Sequence, residues 1–234
     1  LVLTPHLGAA TTEAQELVAE EIAEAVRGAL VEGDLSRALN APAIGGDTFK
    51  KLLPLLELGQ KLGRLAAAPA QGGTKGIEVR YAGEAAEATR PLTSYVLMGL
   101  LGAILGDDQV NFVNAPHLAA TRRISVSSNQ RARRPDYAEF IEVKVFGEGG
   151  DTRVAGVILG EQYPRVVRVG DYHVDVVPQG SLLVFKNRDV PGVIGKVDTL
   201  LGDLGLNIAE YHQARLAVGG DALAAVAVDG VVTP

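Results

Sequence analysis

The sequence has no cysteine, no tryptophan, a single methionine and only 5% aromatic residues among 234. Without thiols the chain can form no disulfide, present no thiolate nucleophile and ligate no iron–sulfur cluster. Such an absence fits a cytoplasmic protein. Long apolar runs are missing as well. The most hydrophobic stretch, Pro91–Leu105, is short and interrupted by Thr93, Ser94 and Gly99, so no membrane span is expected. The opening residues lack the charged, apolar and small-residue pattern of a secretory signal. Positive charge is in deficit: 22 Lys and Arg stand against 28 Asp and Glu, for a net charge of -6. That balance opposes non-specific nucleic-acid binding. No G-x-G-x-x-G follows a strand-like run, and Gly147-Glu148-Gly149-Gly150 is too short and wrongly spaced to serve as one. No metal site is assigned.

What is present is an ordinary globular composition, 47% hydrophobic and 21% charged. The length suits one large domain, or two small ones with an extra element. Leu1 in place of a methionine, and an opening in mid-strand, predict a piece of a longer protein. Thr12-x-x-Gln15 reads as a capping box. A helix is expected from Glu13 to Glu32, with Leu17, Val18, Ile22, Val26, Ala29 and Leu30 on its apolar face and Gly33 as its stop. Nothing in the same opening segment is suited to cover that face. A second helical region spans Asp47–Ala68, with a core stripe of Leu55, Leu58, Leu62 and Leu65 and a division expected at Pro54. Ile77, Val79 and Tyr81 alternate with Glu78 and Arg80, as in a half-exposed strand. Pro91 suits the first turn of a helix to Leu105, and Asn114–Thr121 a shorter one. Strand signals then dominate at Ile124–Ser127, Phe140–Phe146, Val154–Leu159, Arg165–Val169 and Tyr172–Val176. Helices first and strands later predict an α+β fold.

The last part is organised around Leu182–Leu216. Leu182–Phe185 is a buried-strand run, Asn187–Gly192 a polar turn, and Val193, Val197, Leu200, Leu201 and Leu204 recur at helical spacing. Gly205 is placed as a helix stop. Asn207–Leu216 and Ala222–Val228 read as strands on either side of a Gly219-Gly220 turn. Strand, helix, strand, strand is a partial ferredoxin-like unit.

Three sets of residues carry a family resemblance. Asp189-x-Pro191-Gly192 with Gly205-x-Asn207-Ile208 resembles the start of an ACT domain, an amino-acid-sensing module attached to many metabolic enzymes. T-P-H-L-G-A-A-T-x-E-A-Q at Thr4–Gln15 resembles the catalytic-histidine loop of the D-isomer-specific 2-hydroxyacid dehydrogenases, those acting on D-3-phosphoglycerate in particular. Asn114–Ala119, Val154–Gly160 and His173–Asp175 resemble the intervening, allosteric-substrate-binding domain of the long form of that dehydrogenase. The three sets occur in family order.

The resemblance implies a division into residues 1–40, the returning segment of the catalytic region; 41–179, the intervening domain; and 180–234, an ACT domain lacking its last helix and strand. It implies that His6 exchanges a proton with the substrate hydroxyl, a task for a group titrating near neutral pH. The parent enzyme would oxidise D-3-phosphoglycerate with NAD, while the piece at hand, lacking a dinucleotide-binding domain, would bind no cofactor and be inactive alone. L-serine is the effector implied, at Asn187, Asp189 and Asn207. Asp189 suits an ammonium, and the two amides suit a carboxylate. A basic residue at Arg165 and the imidazole of His173 imply an anion site for phosphate or a phosphorylated substrate. Other members carry further arginines where this chain has Tyr172 and Val177, so the site is depleted or rebuilt. Arg122, Arg123, Arg131, Arg133, Arg134 and Arg168 cluster with Arg165 in the sequence of this block and otherwise read as a solvated face. His117 and His212 are assigned to structure. ACT units pair edge to edge, which implies a homo-oligomer; neither nucleic acid nor membrane is an expected partner. Two other readings remain: a non-catalytic ACT sensor, and the regulatory part of a serine dehydratase. The Thr4–Gln15 loop opposes both.

Overall fold

The computed structural model describes residues 8, 10–34, 36–38, 46–67, 73–131, 137, 139–160, 162–230 and 232. It is an α+β protein, with a six-stranded and a three-stranded sheet among the described residues. The chain divides into two compact units, residues 1–53 and 54–234.

In the first unit, helix α1 (Thr12–Arg27) continues through a π-helical turn, Gly28–Glu32, and stops at Gly33, where φ is 68°. The cap lies one residue before the predicted one. Thr11 is extended, and its hydroxyl accepts the Ala14 N–H at 3.2 Å. Thr12 is already helical, so its side chain cannot play that part. With two adjacent threonines, the backbone conformation decides which of them caps. Glu13 sits in the first turn, and hydrogen bonds from its own backbone N–H and from Thr11 hold its carboxyl below the usual range. The predicted apolar face forms but no residue of α1 is buried; Leu17 is 60% and Leu30 81% exposed.

Helix α2 (Gly46–Ala67) runs unbroken through Pro54. The expected division is therefore corrected. An interior proline costs about 3 kcal/mol. Burial of Leu55, Leu56, Leu58 and Leu62, each 4% exposed or less, offsets that at about 1.5–3 kcal/mol per side chain. Strand β1 (Thr74–Ala82) follows, with Ile77, Val79 and Tyr81 buried as the alternation predicts. Helix α3 (Thr89–Leu105) carries Pro91 in its first turn and buries Leu92, Val96, Leu97, Leu100 and Leu101. By length and composition Ala86–Leu105 could cross a membrane, but 56% of its apolar window is buried within the protein, as in a core helix. The backbones of α2 and α3 touch. A Cβ on Gly63 would lie 2.1 Å from the Val96 carbonyl oxygen, and one on Gly99 1.8 Å from that of Gln60.

Helix α4 (Ala115–Thr121) leads into β2 (Ser125–Arg131), parallel to β1. The antiparallel strands β3 (Glu139–Gly147), β4 (Gly150–Leu159), β5 (Tyr163–Val169) and β6 (Tyr172–Val176) complete the order β2-β1-β3-β4-β5-β6. One face joins the helical core; a Cβ on Gly156 would meet Leu58 at 3.1 Å. The other carries an ion-pair ladder. Arg80 bridges Glu78 at 2.8 Å and Glu142 at 2.9 Å, Arg153 approaches Glu142 at 3.6 Å, and Lys144 meets Asp151 at 2.8 Å.

The remaining elements are β7 (Ser181–Arg188), α5 (Val193–Asp203), β8 (Ile208–Arg215) and β9 (Asp221–Val228), in sheet order β7-β9-β8 with both pairs antiparallel. Leu201, Ala224, Val226 and Val228 form their core, with Leu183, Phe185, Val197 and Tyr211 around it. One expectation is corrected, the extent of the polar turn. Asn187 and Arg188 belong to β7, paired with Ala222 and Asp221, so the turn is only Asp189–Gly192. Leu200 and Leu204 are 60% and 66% exposed, leaving Leu201 as the buried residue of α5. The predicted stop at Gly205 is present: φ is 72°, its N–H bonds the Gly202 carbonyl, and Leu206 N–H bonds that of Leu201, both at 2.9 Å.

Candidate functional site

His6 lies outside the described residues, with the rest of residues 1–7. The other candidates fall in three places.

The first is a cleft on β5 and β6. Ala155 of β4 pairs with Arg168 of β5, and the next residue, Gly156, pairs with Val166. Val167 is therefore an extra residue on β5, a bulge. Under strict alternation Arg165 and Arg168 would point to opposite faces. The bulge turns Arg168 to the Arg165 side and leaves Val166 and Val169 buried. His173 is the β6 partner of Arg168, and its Nε2 lies 3.2 Å from Arg168 Nη2. Arg165 Nη1 stands 3.3 Å from Glu210 Oε1 and 3.7 Å from Asp175 Oδ1. Arg165, Arg168, His173 and Asp175 border a cleft of about 390 Å³, walled on its apolar side by Tyr137, Phe140 and Val157. The Tyr137 and Phe140 rings stack with centroids 6.3 Å apart. Two guanidinium forks and an imidazole on one wall can receive the oxygens of a phosphate-type anion. Asp175 and Glu210 temper the positive charge.

The fold thus brings Arg165 and His173 together and adds Arg168. It separates the other basic residues. Arg122, Arg123 and Arg131 lie on or beside β2, four strand positions from β5 in the sheet order, about 19 Å away. Arg133 and Arg134 fall outside the described residues. Tyr172 is buried, and Val177 donates its backbone N–H to Glu210 Oε2 at 2.9 Å. Glu210 had no signal in the sequence, because its partners lie on other strands.

The second place is the end of the three-stranded sheet where β7 meets α5. The Asp189 carboxylate accepts from Gln213 Nε2 at 3.1 Å, Arg215 Nη1 at 2.9 Å and the Gly219 N–H at 3.3 Å. Arg215 first, then the Gly219 N–H, holds its carboxyl below the usual range. Asp189 thereby pins β7 to β8 and to the β8–β9 turn. Asn187 donates to the Arg188 carbonyl at 2.9 Å. Asn187 Oδ1, Gln213 Oε1 and the Tyr211 hydroxyl are buried with no hydrogen-bond partner. Buried acceptors without donors are costly unless something satisfies them. An ammonium is one such donor.

The third place is the opposite end. Asn207 Nδ2 donates to Asp229 Oδ2 at 2.7 Å, and the Asp229 N–H returns to the Asn207 carbonyl at 2.9 Å. Asp189 lies opposite Gly220 and Asn207 opposite Asp229, nine residues apart along β9, so the two are about 30 Å apart. One chain does not gather the three expected effector residues into one site. The reason is that β7 and β8, both antiparallel to β9, run parallel to each other, so the end of β7 and the start of β8 lie at opposite ends of the sheet.

Among the described residues no group of three or more His, Asp or Glu side chains is placed to hold a metal. The parallel crossover from β1 through α3 and α4 to β2 opens with Gly83-Glu84-Ala85-Ala86, not with the glycine turn that admits a pyrophosphate to a helix end.

Comparison with known proteins agrees with this architecture. Residues 51–170 match the family model of the D-3-phosphoglycerate dehydrogenase intervening domain. The chain is 36% identical over 231 residues to a D-3-phosphoglycerate dehydrogenase of Synechocystis sp., covering 98% of the chain and 42% of that protein. It is 35% identical over 245 residues to D-3-phosphoglycerate dehydrogenase 3, chloroplastic, of Arabidopsis thaliana, covering 97% and 41% respectively. It is also 35% identical over 232 residues to the D-3-phosphoglycerate dehydrogenase of Mycobacterium bovis, covering 98% and 43%. The chain spans about two fifths of the length of these curated relatives. With the intervening-domain model matching more than half of its residues, the chain belongs to the D-3-phosphoglycerate dehydrogenase family.

Proposed function

We propose that this chain is the regulatory and oligomerising portion of a cytoplasmic D-3-phosphoglycerate dehydrogenase, whose whole oxidises D-3-phosphoglycerate to 3-phosphohydroxypyruvate with NAD in L-serine biosynthesis. The observation that carries the reading is the match across almost the whole chain to enzymes of that name. The other two readings, a free ACT sensor and a dehydratase regulatory part, lack that support. Hydride transfer belongs to the parent enzyme, with His6 as its proton carrier. In the intervening domain, Arg165, Arg168 and His173 receive phosphate or a phosphorylated substrate.

L-serine is the effector. Its ammonium goes to the Asn187 and Asp189 end of the three-stranded sheet, where buried oxygens lack donors. Asn207 is too distant to complete the same site within one chain, so a second copy supplies it and the assembly is a homo-oligomer. Calorimetric titration of L-serine tests this, with light scattering to report the oligomer. Asp189→Ala and Asn207→Ala should each bind serine at least ten-fold more weakly, from loss of a charge-assisted bond. An equimolar mixture of the two variants should recover part of the sites, because some mixed pairs carry one intact site. A monomer at micromolar concentration, or no recovery on mixing, would refute the shared site.

A further inference from the structure

Glu210 belongs to β8 of the three-stranded sheet, yet both its carboxylate oxygens are committed to the six-stranded one. Oε2 accepts the Val177 N–H at 2.9 Å, just beyond β6, and Oε1 lies 3.3 Å from Arg165 Nη1 on β5. The strand register explains how. Ile208 pairs with Val228 and Glu210 with Ala227, so Ala209 is an extra residue on β8. A bulge bends its strand and re-aims a side chain. Here it turns Glu210 out of its own sheet. Arg165, in turn, borders two cavities. One is the cleft of about 390 Å³ shared with Arg168 and His173; the other is a groove of about 510 Å³ shared with Gln179, Glu210 and Asp229. The guanidinium is the partition between them.

We propose that Glu210 is a built-in competitor for the anion cleft: its carboxylate occupies Arg165 until a phosphate-type dianion takes that place, and this exchange opens the Glu210 latch between β6 and β8. The inference rests on the anion reading of the Arg165, Arg168 and His173 cleft. The charges around Arg165 support it. With Glu210 at 3.3 Å and Asp175 at 3.7 Å, Arg165 faces two carboxylates, and its positive charge is already offset. A dianion bridging Arg165 and Arg168 brings more negative charge to the same guanidinium and repels the Glu210 carboxylate. Once Glu210 leaves, Val177 loses its acceptor. Anion occupancy and the seating of β8 are then coupled, and the coupling acts equally in both directions. Asn207 immediately precedes β8, three residues before Glu210, so an event at that end of β8 reaches the cleft through this latch.

The test titrates inorganic phosphate, in low-salt buffer, into the 234-residue chain and its Glu210→Gln and Arg165→Ala variants. Calorimetry reads affinity, and hydrogen exchange reads protection of the Val177 amide. Glu210→Gln should bind phosphate about two- to five-fold more tightly, the scale of one partly exposed ion pair. Arg165→Ala should bind it more weakly. Saturating phosphate should speed Val177 exchange in the natural chain. A folded Glu210→Gln that binds phosphate no better than the natural chain, while Arg165→Ala binds it worse, overturns the latch and leaves the cleft. If the natural chain and Arg165→Ala take up phosphate alike, or neither does, the cleft and the latch both fall. Should Glu210→Gln not fold, Val177 exchange in the natural chain decides alone, and protection unchanged at saturating phosphate overturns the proposal.

Discussion

Arg215 Nη1 lies 2.9 Å from Asp189 Oδ2 and fastens the end of β7 to the end of β8 across the intervening strand β9. With the Gln213 amide and the Gly219 N–H on the same carboxylate, it ties the residue after β7 to the far strand and its turn.

This arrangement predicts an acid-sensitive contribution to stability. The Asp189 carboxyl titrates below its ordinary range because Arg215, then the Gly219 N–H, favours the charged form. A depressed folded value means the contribution is fully present above the unfolded value, about 3.9, and is lost as pH falls through the folded one. Asp189→Asn should therefore lower the melting temperature at pH 7. The gap should close as the natural chain is acidified below about pH 4. Thermal circular dichroism across that range checks it, and identical melting at pH 7 would dismiss the contact.

The second prediction concerns the packing of α2 on α3. A methyl group on Gly99 has no room, since it would fall 1.8 Å from the Gln60 carbonyl oxygen, and backbone cannot rotate aside as a side chain can. Gly99→Ala should destabilise the chain by about 1–3 kcal/mol or more. Gly195→Ala, in α5 with open space around it, serves as the control and should be neutral or slightly stabilising. Urea denaturation of the two variants compares them directly.

The third prediction is that the chain alone does not reduce NAD with D-3-phosphoglycerate. A proton carrier without a bound dinucleotide and a positioned substrate cannot support hydride transfer. Absorbance at the reduced-cofactor band should not rise above that of the His6→Ala control. Turnover clearly above that control would overturn both the division of labour and the proposed role of this segment.

Much of the architecture was legible in local pattern. The alternation of Ile77, Val79 and Tyr81 with Glu78 and Arg80 marked β1, because a strand between core and solvent exposes every second side chain. Gly33 and Gly205 marked helix ends, because both positions need a left-handed backbone. Where competing local signals were close in energy, the pattern misled. Thr11 and Thr12 are equally able caps, and only the backbone turn chooses. Pro54 argues for a break, yet the leucines that follow it bury enough surface to keep the helix whole.

The sequence by itself determined which segments are helix and strand, the absence of thiol chemistry, and the family to which the chain belongs. These are properties of composition, spacing and short motifs, each contained within a few neighbouring residues. Tertiary structure decided which residues share a site. Arg168 joins Arg165 because β5 carries one extra residue against β4, and no count along β5 alone shows a bulge. Asp189 and Asn207 part company because β7 and β8 run parallel on either side of β9, which puts the end of one and the start of the other at opposite ends of the sheet. Glu210 reaches Arg165 because β8 bulges at Ala209 beside another sheet. Register and strand order are relations between distant segments, settled by burying one face of each sheet, and so they exist only once the chain has folded.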